Sequence, residues 1–366
     1  MRGERYRWTV SRQSILFRTR IMVHLMKPVT IERSKMGSFI EELSKHYDVI
    51  GPKSKRVGND FYFDRIDSAD ELALEYGNTI LPPKKYLLPA CETLLRFEKG
   101  RPTPQYPVFE RKQVIFGIRP CDLTSFLYLD LVYTSHRTDP RYRLRRENLL
   151  TIVIGCRKMC EGGFCASMGS GPRPKGGFDL LLTEMGKKYL VEAGSEQGAG
   201  LLALAVTAPA TPRELARKKR IVSDLAMRGR REFDARGLPG LINGGLEHKV
   251  WAEIGEKCLD CGQCAMVCPT CFCFDIRDKM GPSLDRGERC RTWDVCLLAE
   301  FSGVAMGGNF RRERKDRLRQ FQAHNLGYSQ EQFGSPKCVG CGRCIRVCPV
   351  HIDIRETVNQ LRRGAR

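Results

Sequence analysis

Two copies of one cysteine ladder constrain this chain more than any other feature. The run Cys258-Leu-Asp-Cys261-Gly-Gln-Cys264-Ala-Met-Val-Cys268-Pro269 returns as Cys338-Val-Gly-Cys341-Gly-Arg-Cys344-Ile-Arg-Val-Cys348-Pro349. Thiolates two residues apart on a tight turn can converge on three corners of one iron-sulfur cube, and a fourth ligand must then come from elsewhere. The trailing Cys-Pro supplies it, because proline stops the turn from continuing as a helix and presets the direction in which the chain leaves. The spacing therefore predicts two 4Fe-4S clusters. Cluster I takes Cys258, Cys261, Cys264 and Cys348, and cluster II takes Cys338, Cys341, Cys344 and Cys268. Zinc is the competing metal, but four-cysteine zinc sites are built from paired C-x-x-C and need no third and fourth cysteine in each run.

Eight of the 17 cysteines are taken up in this way. Thiolate ligands need a reducing compartment, so the expected location is the cytoplasm. No stretch approaches the roughly 20 apolar residues that would span a bilayer. The formal charge of +20 over 366 residues invites a nucleic-acid reading. Its dense runs, however, are Arg217-Lys-Lys-Arg220 with Arg228, Arg230 and Arg231, and the stretch 311–319, both helical in composition with acidic residues between. They read as solvated or subunit-docking helix faces, or as an attraction for an acidic redox partner, rather than as a nucleic-acid surface.

The length predicts two domains, or two with appendages. Residues 1–25 are rich in arginine without a convincing secretory pattern, and read as a basic extension ahead of the natural beginning. From there the pattern alternates. A helix over 34–47 carries Phe39, Ile40, Leu43 and Tyr47 on one face, and short apolar segments follow at 48–51 and 61–63. A second helical piece is expected after Pro82-Pro83 through Leu95, and the prolines of 102–107 suggest a loop. Next come a buried strand at 114–118, a helix over 122–132 and a second buried strand at 149–154, the signature of a parallel crossover unit. A hairpin is expected from 179–183 and 188–192, then a basic helix over 211–234 and a flexible break at 237–245.

In a right-handed crossover both strands end on one edge of the sheet, where sites collect. Cys121 follows the first strand, Cys156 follows the second, and Cys160 and Cys165 lie in the glycine-rich loop beyond. These four are candidates for a third 4Fe-4S cluster, with small buried apolar thiols or a zinc site as the competing readings.

The break divides the chain into an N-terminal α/β domain, 26–236, and a dicluster domain, 237–366. The long spacer between Cys268 and Cys338 is expected to be structured by helices, at 297–305 and 311–323, rather than by hairpins. The fold class is therefore α+β, with a C-terminal, mainly helical ferredoxin-like domain. Cys91, Cys271, Cys273, Cys290 and Cys296 remain unassigned; packing beside the clusters, with Phe272, Phe274 and Trp293 keeping water out, is the reading preferred over a further cluster. His351 is read as a packing or surface residue.

Assembled, Gly117-Ile-Arg-Pro-Cys121-Asp-Leu123, Phe164-Cys165-Ala-Ser-Met-Gly-Ser-Gly-Pro172, Cys268-Pro-Thr-Cys271-Phe-Cys273-Phe-Asp275, Arg291-Thr-Trp-Asp-Val-Cys296 and the second ladder resemble the dicluster iron-sulfur subunits of two systems. One is the beta subunit of cytoplasmic sulfhydrogenases, the other the dicluster subunit of anaerobic sulfite reductase. The resemblance covers roughly residues 26–355. It implies an electron-transfer subunit that relays electrons between a flavin subunit reacting with NAD(P)H and a terminal catalyst, either a nickel-iron hydrogenase or a sirohaem sulfite reductase. In such a relay the basic helices would dock partner subunits or guide an acidic ferredoxin by long-range attraction. It implies no catalytic residue in this chain. The chain departs from the pattern at Gly163-Phe164-Cys165, where Cys-Phe-Cys is expected, which leaves Cys160 unsettled as a ligand. Two other classes stay open. In one, the N-terminal domain is a flavin or deazaflavin site with its own activity; in the other, a nucleic-acid-binding protein uses its clusters structurally.

Overall fold

The computed structural model describes residues 26–54, 60–230, 233–283 and 285–364, so the basic extension lies outside the described residues. The protein is a mixture of helix and sheet of the α+β class. Its larger sheet has eight strands: β1 (Val29–Glu32), β2 (Asp48–Ser54), β3 (Phe61–Arg65), β6 (Gln113–Ile118), β7 (Leu149–Ile154), β8 (Leu180–Glu184), β9 (Lys188–Ala193) and β10 (Ala208–Pro209). They run in the order β10-β1-β9-β8-β7-β6-β2-β3. The inner pairs β2/β6, β6/β7 and β7/β8 are parallel, and the flanks are antiparallel.

Period-two alternation sorts the inner strands onto two cores. Val114, Phe116, Leu150, Ile152 and Ile154 face the helix α1 (Met36–His46), which contributes Phe39, Ile40 and Leu43. Ile115, Leu149, Val153 and Leu181 face the opposite way, against Leu123, Phe126 and Leu129 of α2 (Pro120–Thr134) and Tyr142 of α3 (Pro140–Glu147). Strands buried on both faces read as continuous apolar runs, which is why β6 and β7 stand out in the sequence. At the end of β6 the register slips between Phe116 and Ile118 around Gly117, whose φ of 81° is left-handed. This bulge re-aims the chain into Arg119 and Pro120, where proline starts α2. The expected hairpin is present as β8/β9, followed by α4 (Glu196–Leu202) and the basic helix α5 (Pro212–Arg230).

Several elements differ from expectation. The segment after Pro82-Pro83 makes only a 3-10 turn, Pro83–Tyr86, and then the strand β4 (Cys91–Glu98), which pairs with β5 (Arg101–Pro104). The prolines of β5 are tolerated because it is an edge strand, where a missing N–H breaks no ladder. The spacer contributes a hairpin of its own, β11 (Phe274–Met280) and β12 (Arg286–Trp293), and β12 lies against β4. The resulting four-stranded antiparallel sheet, β11-β12-β4-β5, is built from both halves of the chain. Two further segments depart from the sequence pattern: 238–244 forms a helix, α6 (Leu238–Gly244), with Pro239 in its first turn, while 297–305 makes only 3-10 turns. The expected charged helix is α9 (Arg314–Ala323).

Around the ladders, α6, α7 (Val250–Lys257), α9, α10 (Ser329–Phe333) and α12 (Ile354–Gly364) frame the two short helices α8 (Gln263–Met266) and α11 (Arg343–Arg346). Their core holds Trp251, Ile254, Leu297, Phe321 and Val358 together with Cys258, Cys271 and Cys296.

Candidate iron-sulfur sites

The two ladders share one backbone as well as one sequence. Asp260 and Gly262 in the first, and Gly340 and Gly342 in the second, have φ of 55°, 69°, 63° and 78°. These left-handed residues alternate with the cysteines and turn the chain so that the thiols at spacing three face inward; α8 and α11 then carry Cys264 and Cys344. The unfavourable conformation of Asp260 is held by Arg317, whose guanidinium donates to Asp260 Oδ2 at 2.6 Å and to Leu297 O at 2.9 Å.

Cys258, Cys261, Cys264 and Cys348 line one cavity with about 530 Å³ of empty space, counted to its open mouth. Its walls are Leu297, Leu318, Phe321, Ile352 and Ile354, and Cys344 of the second ladder reaches it as well. Cys338, Cys341 and Cys344 lie within electrostatic reach of one another and of Cys268. Burial is the main cause that pushes the thiols of Cys264 and Cys338 upward. Both sets offer four soft sulfur donors, the chemistry an iron-sulfur cube takes. Backbone N–H groups also point at the sulfurs: Gly340 N lies 3.4 Å from Cys338 Sγ, and Ile352 N lies 3.3 Å from Cys348 Sγ. Such hydrogen bonds are a lever on cluster potential. Among the described residues, no three of His, Cys, Asp and Glu are gathered so as to hold a single metal ion.

The third candidate set gathers at the sheet edge where β6 and β7 end. Cys165 is within electrostatic reach of Cys156 and Cys160, and Cys121 is within reach of Cys165. Cys160, the unsettled member, lies with this set, its Sγ against Gly77. Burial pushes the Cys156 thiol up to about 12, against the opposing charge of Arg119. This edge is not a separate site: Cys121, Cys165, Val339 and Cys341 pack as one small apolar cluster, so the set abuts the second ladder.

The seam between them is closed by buried polar groups that the sequence does not single out. Arg343 and Asp122 are both fully buried and form a two-pronged ion pair at 2.5 and 2.9 Å. Arg343 Nε also donates to Thr79 O at 2.6 Å, and Asn78 Nδ2 donates to Cys341 O at 2.8 Å. The only sequence signal for this pair is a charged residue at a ladder position where the first copy has Gln263. Arg119 stacks on the Tyr76 ring at 4.2 Å and donates to Gly77 O at 2.9 Å, holding the segment that carries Asn78 and Thr79. On the other side Phe164 N donates to Gly340 O at 2.7 Å.

This close approach explains two glycines. A Cβ on Gly340 would stand 2.8 Å from the backbone of Phe164 and Cys165, and one on Gly342 would stand 2.6 Å from the backbone of Gly162. Both sites combine positive φ with rigid backbone contact. Gly340→Ala and Gly342→Ala are each expected to destabilise the protein by at least about 2 kcal/mol, whereas Gly334→Ala, which meets nothing within 4 Å, costs only the positive-φ penalty. Urea-unfolding midpoints of the three variants check the order.

The spacer is anchored by a second buried network. Arg291 Nε donates to Glu92 Oε1 at 2.8 Å and Arg291 Nη1 to Asp139 Oδ2 at 2.6 Å, while Trp293 Nε1 donates to Leu88 O at 3.0 Å. Cys91 is exposed, and Cys290 is buried in the second sheet near Thr93; neither lies with a thiol set.

Residues 257–352 match the family model of the 4Fe-4S dicluster domain. Over 341 residues the chain is 32% identical to the sulfhydrogenase 2 subunit beta of Pyrococcus furiosus, an alignment that covers 93% of this chain and 99% of that protein.

Proposed function

Because the chain belongs to the family of sulfhydrogenase beta subunits, we propose that it is the electron-relay subunit of a sulfhydrogenase-like complex, standing between a flavin subunit that reacts with NAD(P)H and a nickel-iron catalytic subunit. The observation that carries this reading is the contiguity of three thiol sets, with Cys344 at the first ladder's cavity and Cys341 packed against Cys121 and Cys165. In the proposed assignment Cys258, Cys261, Cys264 and Cys348 hold one 4Fe-4S cluster, and Cys338, Cys341, Cys344 and Cys268 hold the second. Cys121, Cys156, Cys160 and Cys165 hold a third. When bound, such clusters take up and release electrons at potentials set by their surroundings.

The chain's own contribution is to hold these thiols in fixed positions, most of them buried or half-buried and Cys261 exposed. Leu297, Leu318, Phe321 and Ile354 give the first cavity an apolar wall. The Asp122–Arg343 pair keeps the sheet edge and the second ladder from moving apart. A hydrogenase is preferred to a sulfite reductase as the terminal catalyst because the relative is a sulfhydrogenase subunit by name. No helix among the described residues is long and apolar enough to cross a membrane.

The test is a difference measurement on the full chain produced without oxygen. The double variant Cys121→Ser, Cys165→Ser is expected to carry about four fewer iron and sulfide per chain than the parent, with the EPR signals of the ladder clusters retained. Equal iron in both would remove the third cluster and leave the sheet edge as a docking platform.

A further inference from the structure

Three of the four spacer cysteines, Cys271, Cys273 and Cys296, lie within electrostatic reach of one lysine, Lys337. The register of the β11/β12 hairpin places Phe274 opposite Trp293, so the chain just outside the pair brings Cys273 beside Asp294, whose N–H donates to Cys273 O at 3.1 Å. Cys296 follows two residues on, and its thiol lies within electrostatic reach of that of Cys273. Cys271 joins from the turn after the first ladder, where its side chain meets that of Cys268. Cys271 and Cys296 are buried, and Cys273 is half-buried.

Two lysine ammonium groups converge on the same place. Lys84 and Lys337 are 3% and 2% exposed, and among the described residues neither has a carboxylate partner. Lys84 Nζ donates to Cys268 O and Cys271 O, both at 2.9 Å, and lies 4.4 Å from the Trp293 ring. Lys337 Nζ lies 3.2 Å from His324 Nδ1 and 5.0 Å from the ring of Phe272, the residue between Cys271 and Cys273. The strongest electrostatic neighbours of Lys337 are Cys271, Cys268 and Cys273, rather than Cys338 beside it in the chain. A buried cation is strongly unfavourable without an anion, and the groups in reach of both lysines that can carry negative charge are the thiols of Cys268, Cys271 and Cys273.

We propose that Cys271, Cys273 and Cys296 hold a further iron-sulfur centre, with Lys84 and Lys337 supplying its countercharge. Three thiolates leave one iron of a cube to a ligand other than cysteine. The centre adjoins Cys268, so it stands beside the second ladder as a further station or branch of the relay. That last point rests on the proposed function; the existence of the centre does not.

The experiment compares the full chain with the double variant Cys273→Ser, Cys296→Ser, both produced without oxygen, by iron, zinc and acid-labile sulfide analysis and by EPR. The variant is expected to lose about three to four iron and a matching amount of sulfide while keeping the ladder signals. Should that variant be insoluble, Cys271→Ser, outside the hairpin, is expected to show the same loss. In Lys337→Met the iron is expected to stay and the midpoint potential of the centre that the cysteine variants lose to fall, a change that a purely structural lysine would not cause. Unchanged iron in the cysteine variants, or one zinc lost in place of iron, overturns the centre and leaves Cys273 and Cys296 as a thiol pair or zinc site. Absence of ladder signals from the parent would count against the relay reading alone, since the difference in iron is read independently of it.

Discussion

Replacing Asp122 by alanine is expected to destabilise the protein by about 3–5 kcal/mol, the cost of leaving a buried charge without its partner. Arg343 is fully buried, inside the second ladder, and both prongs of its guanidinium meet the Asp122 carboxylate. Without that carboxylate the positive charge stays in the seam, with the Thr79 oxygens as its remaining acceptors. Asp122→Asn keeps the shape and one acceptor but removes the charge, and is expected to fall between alanine and the parent. The paired change Asp122→Leu, Arg343→Met removes both charges, and most of the stability is expected to return, because a buried ion pair can often be replaced by apolar groups at little cost. It does not return fully, since Thr79 O loses its donor. Urea unfolding of the four proteins measures this; equal stability of Asp122→Ala and parent would contradict the pair's role as the bolt between sheet edge and ladder.

Stripping iron and sulfide by oxidation in the presence of a chelator is expected to unfold the ladder region while sparing the large sheet. The helical part has a core in which Cys258, Cys271 and Cys296 sit among Trp251, Leu297 and Phe321, and one of its cavities is lined by five ladder cysteines. Binding by residues far apart in sequence is coupled to folding, so removing what they hold removes much of the reason for α8 and α11 to stay in place. These helices have only four residues each, too few to persist alone. The eight-stranded sheet keeps separate cores on its two faces. Far-UV circular dichroism should therefore lose helical signal while strand signal persists, and limited proteolysis should cut within 257–352 first. Retention of the full helical signal after complete iron loss would contradict this.

Much of this arrangement is legible in the sequence because it rests on local pattern. The ladders announce three of their four turns through glycines at positions that need positive φ, Asp260 being the exception, and β6, α2 and β7 announce a parallel crossover through continuous apolar runs. From that crossover alone, Cys121 and Cys156 can be placed on one edge. What escapes is non-local. The β4 strand looks helical because only its edge partner β5 is nearby in sequence; its other partner, β12, is nearly 200 positions away, as the contact between Thr93 and Cys290 shows. The helix α6 hides because its glycines and proline suggest a break, while Leu238 and Ile242 are buried against the ladder core. Asp122 and Arg343 each look like ordinary charged residues until the fold brings them together. Lys84 and Lys337 are the same case: their burial, not their identity, marks them.

The most direct test of the central claim is an EPR-monitored redox titration of the intact chain, prepared without oxygen and with its iron and sulfide counted. An electron relay of adjacent centres predicts reversible reduction in several one-electron steps, with signals that broaden as neighbouring centres become reduced together. Iron that is present in full but stays unreduced across the whole accessible range, or that is reduced only with loss of the fold, would contradict it and make the clusters structural.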